Sequence, residues 1–135
     1  PLTGIEIPED LVPLAIDEFP VLFIAAACAS GKTILSGAEE LRVKESDRIA
    51  SMAEGLTRLG IENDVREDGI AITGGQITGG EVDTFHDHRI AMSFSVAALR
   101  ASGPIHVNDC DHVATSFPGF AALARSVGLN IKEVN

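Results

Sequence analysis

Apolar positions along the chain fall into two recurring patterns. The first is a long, nearly uncharged run: one follows Asp17 and ends at Gly31, and another follows Asp87 and ends at Gly103, with a helix predicted over Ile90 to Ala101. The second repeats every 3.6 residues, as the buried face of an amphipathic helix does. Ile49, Met52, Ala53, Leu56 and Leu59 form its first instance, and Phe117, Phe120, Ala121, Ala124 and Val127 repeat it in phase. Gly60 and Gly128 stand where a left-handed residue would end each helix, and Ser46 and Ser116 are the expected N-caps. The β-branched runs Thr33-Ile34-Leu35 and Ile105-His106-Val107 read as strands. Ile61 to Arg66 and Ile70 to Thr73, flanking an Asp68-Gly69 turn, predict a hairpin. Gly74 to Gly80, with four glycines, reads as a connector.

Equivalent landmarks in the two halves are offset by 68 to 72 positions, so the patterns form a diverged internal repeat. Each unit reads as β-α-β-α-β-β, with units at approximately 1–75 and 76–135. The expected fold class is α/β, of the α+β kind.

Composition narrows the function classes. Of 135 residues, 45% are hydrophobic, which is too apolar for a disordered chain, and the 13 glycines lack a collagen period. Twenty acids against ten basic residues give a net charge of −10, which argues against nucleic-acid binding and requires any anionic ligand to find a local basic pocket. Cys28 and Cys110 follow neither a disulfide framework nor a zinc spacing, so a reducing, cytoplasmic setting is expected. No uninterrupted apolar stretch reaches membrane-spanning length. A start at Pro1 that enters directly into the apolar segment Leu2 to Ile7 suggests a piece of a longer polypeptide.

Three stretches carry possible chemistry. Ala29 to Thr33 (ASGKT) ends like a phosphate loop, but Ala26 stands where the first glycine of that motif belongs, and a helix stop is the better reading. Glu39 to Arg48 (EELRVKESDR) crowds three cations and four acids at a helix N-terminus, where free amides favour phosphate or carboxylate. A solvated loop is the plain alternative. His86-Asp87-His88-Arg89 precedes the second apolar helix: the histidines are open to a metal-dependent hydrolase, yet no third ligand follows at helical spacing, and Arg89 could add a guanidinium to the same anion. Asp17 and Asp87 hold equivalent places in the two units, where either could serve only as an acid favoured by the helix dipole.

Leu41 to Arg48 (LRVKESDR) and Asp87 to Phe94 (DHRIAMSF), supported by Ile16 to Pro20 (IDEFP) and Ala114 to Pro118 (ATSFP), resemble the 5-enolpyruvylshikimate-3-phosphate synthases. The resemblance implies transfer of the enolpyruvyl group of phosphoenolpyruvate to the 5-hydroxyl of shikimate 3-phosphate, on the route to aromatic amino acids, with no metal or cofactor. It implies six β-α-β-α-β-β units in two domains with the site in the cleft between them; this chain would hold about two units, a partial C-terminal domain inactive alone. Arg48 and Arg89 would hold phosphoenolpyruvate, and Lys44 and Asp17 would contact shikimate 3-phosphate. Glu45 would act as acid toward the methylene and Asp17 as base toward the hydroxyl. Thr115 stands where many members carry lysine and Glu40 where many carry asparagine; the Ala114 to Pro118 version resembles the class II branch. A non-catalytic repeat-built scaffold and a hydrolase using His86 and His88 are the other classes.

Overall fold

The computed structural model describes residues 1–109 and Arg125. Two exposed 3-10 turns, Glu9–Leu11 and Pro13–Glu18, lead into helix α1 (Phe19–Cys28). Pro20 suits the first turn of α1, and Phe19, Phe23, Ile24, Ala26 and Ala27 are buried. The helix stops at Ala29, which is extended, and Gly31 then takes a left-handed φ of 83°. The ASGKT stretch is thus a helix stop, as expected.

Strand β1 (Lys32–Leu35) pairs antiparallel with β3 (Gly69–Thr73), which pairs antiparallel with β2 (Asn63–Arg66) in the order β1-β3-β2. The hairpin is where the pattern predicts it, but Arg66 faces Gly69, so the two-residue loop is Glu67-Asp68 rather than Asp68-Gly69. The reason is packing: a Cβ at position 69 would overlap the Leu35 carbonyl, so the glycine serves a close approach of strands. Leu2 to Ile7 runs beside β1 in the parallel sense: the Gly4 and Ile7 amides donate to the Ser30 and Ile34 carbonyls, and the Ser30 and Ile34 amides donate back to Leu2 and Ile5. In the second half β4 (Gly80–Val82) pairs parallel with β5 (Ile105–Val107), joined through helix α3 (His88–Ala97). Both halves therefore contain a parallel strand–helix–strand step.

Helix α2 (Arg48–Arg58) turns Ile49, Met52, Ala53 and Leu56 inward. Its N-cap is Asp47, whose carboxylate accepts from the Ala50 amide at 3.1 Å, not the expected Ser46; the Ser46 hydroxyl is drawn to a different carboxylate, Asp87. Gly60, with φ 82°, ends α2 as predicted. Helix α3 stops at Ala97, short of the predicted Ala101, because the connector competes for the chain there: Gln76 Nε2 donates to the Arg100 carbonyl and the Ser102 amide donates to Ile77. The three helices pack on one another, with Phe19, Phe23, Leu35, Met52, Leu56, Ile72 and Phe94 in one continuous core. Gly55 lies directly against the Phe94 ring, with no room for a Cβ. Among the described residues no helix is long and apolar enough to cross a membrane. The helix predicted from Phe117 to Val127, its Ser116 cap and Gly128 stop, the Ala114–Pro118 stretch with Thr115, and Cys110 lie outside the described residues.

Candidate active site

The stretch from Gly37 to Arg48 is pinned at both ends. Gly37 donates through its amide to Asp68 Oδ2 at 3.0 Å, Ala38 donates to the Asp68 carbonyl, and Leu41 is fully buried. Arg42 then fastens the 3-10 turn Glu39–Val43 to the hairpin, donating from Nε to the Glu67 carbonyl at 2.8 Å and from Nη2 to the Arg66 carbonyl at 2.6 Å. Its Nη1 meets Asp47 Oδ2 at 2.8 Å, so one carboxylate both caps α2 and anchors this turn. Lys44 and Glu45 follow directly and stand at the molecular surface beside the start of α2.

Arg48, the first residue of α2, carries the centre of the site. Its side chain is only 2% exposed, and its guanidinium meets three carboxylates. Asp87, fully buried at the start of α3, accepts from Nε at 2.9 Å and from Nη2 at 3.3 Å. Asp17 Oδ1 accepts from Nη1 at 3.1 Å, and Glu45 accepts from Nη2. Unlike Asp87, Asp17 and Glu45 are about half exposed, at 49% and 53%. Lys44 Nζ lies 3.6 Å from Asp17 Oδ1 and 3.5 Å from Glu40 Oε1. Arg89 reaches the same place from α3: its Nη1 donates to the Asp17 carbonyl at 3.2 Å and to Glu18 Oε1 at 3.0 Å. The five residues singled out from the sequence, Asp17, Lys44, Glu45, Arg48 and Arg89, are thus gathered into one cluster, with Asp17 touching three of the others.

Burial works against the charge on Asp87, but hydrogen bonds from Arg48 and Ser46, the Arg48 charge and the Arg89 amide outweigh it and hold the carboxyl below its ordinary range. Burial likewise opposes the Arg48 cation, and Asp87, Glu45 and Asp17 more than compensate, so its proton is held more tightly than usual. An arginine fork suits this position because it can bridge several carboxylates while keeping its plane fixed. Asp17 caps nothing: it sits in the 3-10 turn before α1, which leaves its carboxylate to the cations.

The histidines go elsewhere. His86 Nδ1 lies 2.6 Å from Asp109 Oδ2; Phe85 and His86, in the turn before α3, and Asp109, after β5, take positive φ, and His88 opens α3. Among the described residues no three histidine, cysteine or acidic side chains are grouped to hold a metal ion.

A family model described as EPSP synthase (3-phosphoshikimate 1-carboxyvinyltransferase) matches residues 1–123. The chain belongs to the EPSP synthase family. It is 66% identical over 131 residues to the 3-phosphoshikimate 1-carboxyvinyltransferase of Methylococcus capsulatus, covering 97% of this chain and 30% of that protein. It is 59% identical to that of Coxiella burnetii strain RSA 493, covering 98% of this chain and 30% of that protein. An EPSP synthase structure from Acinetobacter baumannii superposes with a TM-score of 0.94 at 60% identity, over 97% of this chain and 31% of the other. The α/β fold of the EPSP synthases is therefore this chain's fold, and the chain spans about 30% of the length of the relatives it matches.

Four members of this EPSP synthase cluster were not singled out from the sequence as site residues: Asp87 and Ser46, and the outlying Glu18 and Glu40 that pair with Arg89 and Lys44. Ser46 donates to Asp87 Oδ2 at 2.8 Å and accepts from the Ser51 hydroxyl at 3.2 Å. A signal for Asp87 was present. Arg48 stands four residues before Met52, on the apolar face of α2, and a guanidinium in that phase needs a buried acid.

Proposed function

We propose that the full-length protein containing this chain transfers the enolpyruvyl group of phosphoenolpyruvate to the 5-hydroxyl of shikimate 3-phosphate, releasing phosphate, in the cytoplasmic route to aromatic amino acids. The observation that carries this reading is the meeting of Lys44 and Arg48, from the stretch that opens α2, with Arg89, from the start of α3, around Asp17. Arg48 and Arg89 hold the carboxylate and phosphate of phosphoenolpyruvate, and Lys44 and Asp17 contact shikimate 3-phosphate. In the first step the 5-oxygen bonds to C2 of the enol, Glu45 gives a proton to the methylene carbon, and Asp17 takes the proton of the hydroxyl. In the second the bond from C2 to the phosphate oxygen breaks and the new methyl group returns a proton, restoring the double bond. Arginine forks and a nearby lysine stabilise the charge that develops on the leaving phosphate.

Electrostatics set what else is needed. Five carboxylates, Asp17, Glu18, Glu40, Glu45 and Asp87, surround three cations in the described cluster. Two substrates that each carry a carboxylate and a phosphate cannot be held by a cluster of that balance alone. The remainder of the parent chain supplies the opposing wall and further cations, residues 1–75 and 76–135 are two of its repeat units, and this piece by itself has no turnover. The test is phosphate release from the full-length protein, dependent on both substrates. Arg48→Lys and Arg89→Lys each raise the KM for phosphoenolpyruvate by about tenfold or more, since an ammonium replaces a fork with a point charge. No phosphate release from the full-length protein, or release by residues 1–135 alone, overturns the respective part of this reading.

A further inference from the structure

Asp87 does more than a helix cap requires. The cap uses one bond, from the Arg89 amide to Asp87 Oδ1 at 3.0 Å. The carboxylate accepts three further bonds: Arg48 Nη2 on the same oxygen, and Arg48 Nε with the Ser46 hydroxyl on the other. All of its accepting capacity is thus filled, two bonds per oxygen. Ser46 is free to join because Asp47, not Ser46, caps α2. Packing alone does not call for this arrangement: a buried arginine–aspartate pair is often no more stabilising than apolar side chains of the same volume. What the pair does provide is a fixed plane and a fixed direction for the guanidinium.

We propose that Asp87 is the positioning residue of this site, holding Arg48 by its Nε edge so that the Nη1 and Nη2 tips face the half-exposed rim where the anion of the enol ester binds. The inference rests on the role given to Arg48 under Proposed function. The three carboxylates on Arg48 divide by burial. Asp87 is sealed in the core between the starts of α2 and α3, whereas Asp17 and Glu45 lie at the rim, on the tips that a ligand anion must reach. Asp17 and Glu45 are exchangeable: either can leave Arg48 to a ligand anion or change its protonation without leaving the guanidinium unpaired. Asp87 thereby separates the aim of Arg48 from the proton transfers assigned to its other two partners. Ser46, supported by Ser51, locks the oxygen that receives Nε.

The experiment uses the full-length enzyme. Asp87→Asn keeps the size of the side chain and an oxygen for the Arg89 amide but removes the anion facing Arg48. The expected result is a fall of about 30-fold in kcat/KM for phosphoenolpyruvate, carried mostly by KM, the lower end of what losing one partner of a buried charge pair causes. Shikimate 3-phosphate binding, measured alone by titration, changes by less than about threefold. In an Arg48→Lys background the further loss from Asp87→Asn shrinks to less than about threefold, because residues that act through one another are not additive. Ser46→Ala, which leaves the carboxylate in place, gives a smaller loss of the same kind and carries the same cycle if Asp87→Asn does not fold. Equal weakening of both substrates, or an equal loss in the wild-type and Arg48→Lys backgrounds, makes Asp87 a structural residue and overturns the proposal. If the wild-type enzyme releases no phosphate from the two substrates, the functional reading itself fails and the positioning role falls with it.

Discussion

Arg48 illustrates how a single side chain can be both core and site. Its aliphatic stem lies in phase with Met52 on the buried face of α2, while its charged end gathers one sealed and two half-exposed carboxylates. The sealed one has a measurable consequence. Because the Asp87 carboxyl is held below its ordinary range in the folded protein, its ionised form stabilises the fold fully above the unfolded value of about 4, and that stabilisation drains away as pH falls further. Chemical unfolding of the full-length protein should therefore show wild type ahead of Asp87→Asn by a constant margin, about 3 kcal/mol for a broken buried pair, from neutral pH down to about 5. The margin should narrow below about pH 4, and one unchanged at pH 3 would mean that Asp87 is not the group whose protonation is linked to folding there. The charged helix starts pointed to Arg48 and Arg89, and the family resemblance carried by the surrounding motifs pointed to Asp17, Lys44 and Glu45. The partnership of Asp87 with Ser46 was not legible. It depends on bringing together positions 41 residues apart, and the local rule for a serine before a helix pointed to capping instead.

The elements were legible to the extent that local chemistry decides them. The phase of Ile49, Met52 and Leu56 gives the buried face of α2, and Gly60 with its positive φ gives its end. The uncharged run after Asp17 gives α1, and the alternation around a tight loop gives the β2–β3 hairpin. Long-range competition governs the places where local rules failed. The close approach of Leu35 puts Gly69 inside β3, and bonds from the connector end α3 at Ala97. Gly55 is another residue whose meaning appears only in packing, because a mid-helix glycine otherwise costs about 1 kcal/mol relative to alanine. Here it admits the ring of Phe94, which is fully buried. Gly55→Ala should therefore lower the stability of the full-length protein by about 1–2 kcal/mol, the crowding of α2 against α3 exceeding the gain in helix propensity. Adding Phe94→Leu should recover part of that loss in a thermal melt. A higher melting temperature for Gly55→Ala alone would refute the close contact.

At the scale of the molecule, the charge balance links binding to proton movement. The whole chain carries a net charge of −10, and the site does not reverse that sign, since the described cluster holds more carboxylates than cations. A ligand anion reaching the Nη tips of Arg48 competes with Glu45 and Asp17 for the same donors. Whichever carboxylate yields loses its cation and gains an incoming negative neighbour, and both changes favour a bound proton. Glu45 is the better placed to yield: it meets Arg48 through one oxygen at the rim, whereas Asp17 is also approached by Lys44 and carries the carbonyl that Arg89 holds. On the roles proposed above, ligand binding would load Glu45 with the proton that the first chemical step uses. Calorimetric titration of the full-length enzyme with phosphoenolpyruvate, at saturating shikimate 3-phosphate, should give binding heats that vary with the ionisation enthalpy of the buffer in the sense of proton uptake. Glu45→Gln should lose a large part of that dependence while still binding both ligands. Equal uptake by the two proteins would move the proton to another group and remove Glu45 from the role of acid.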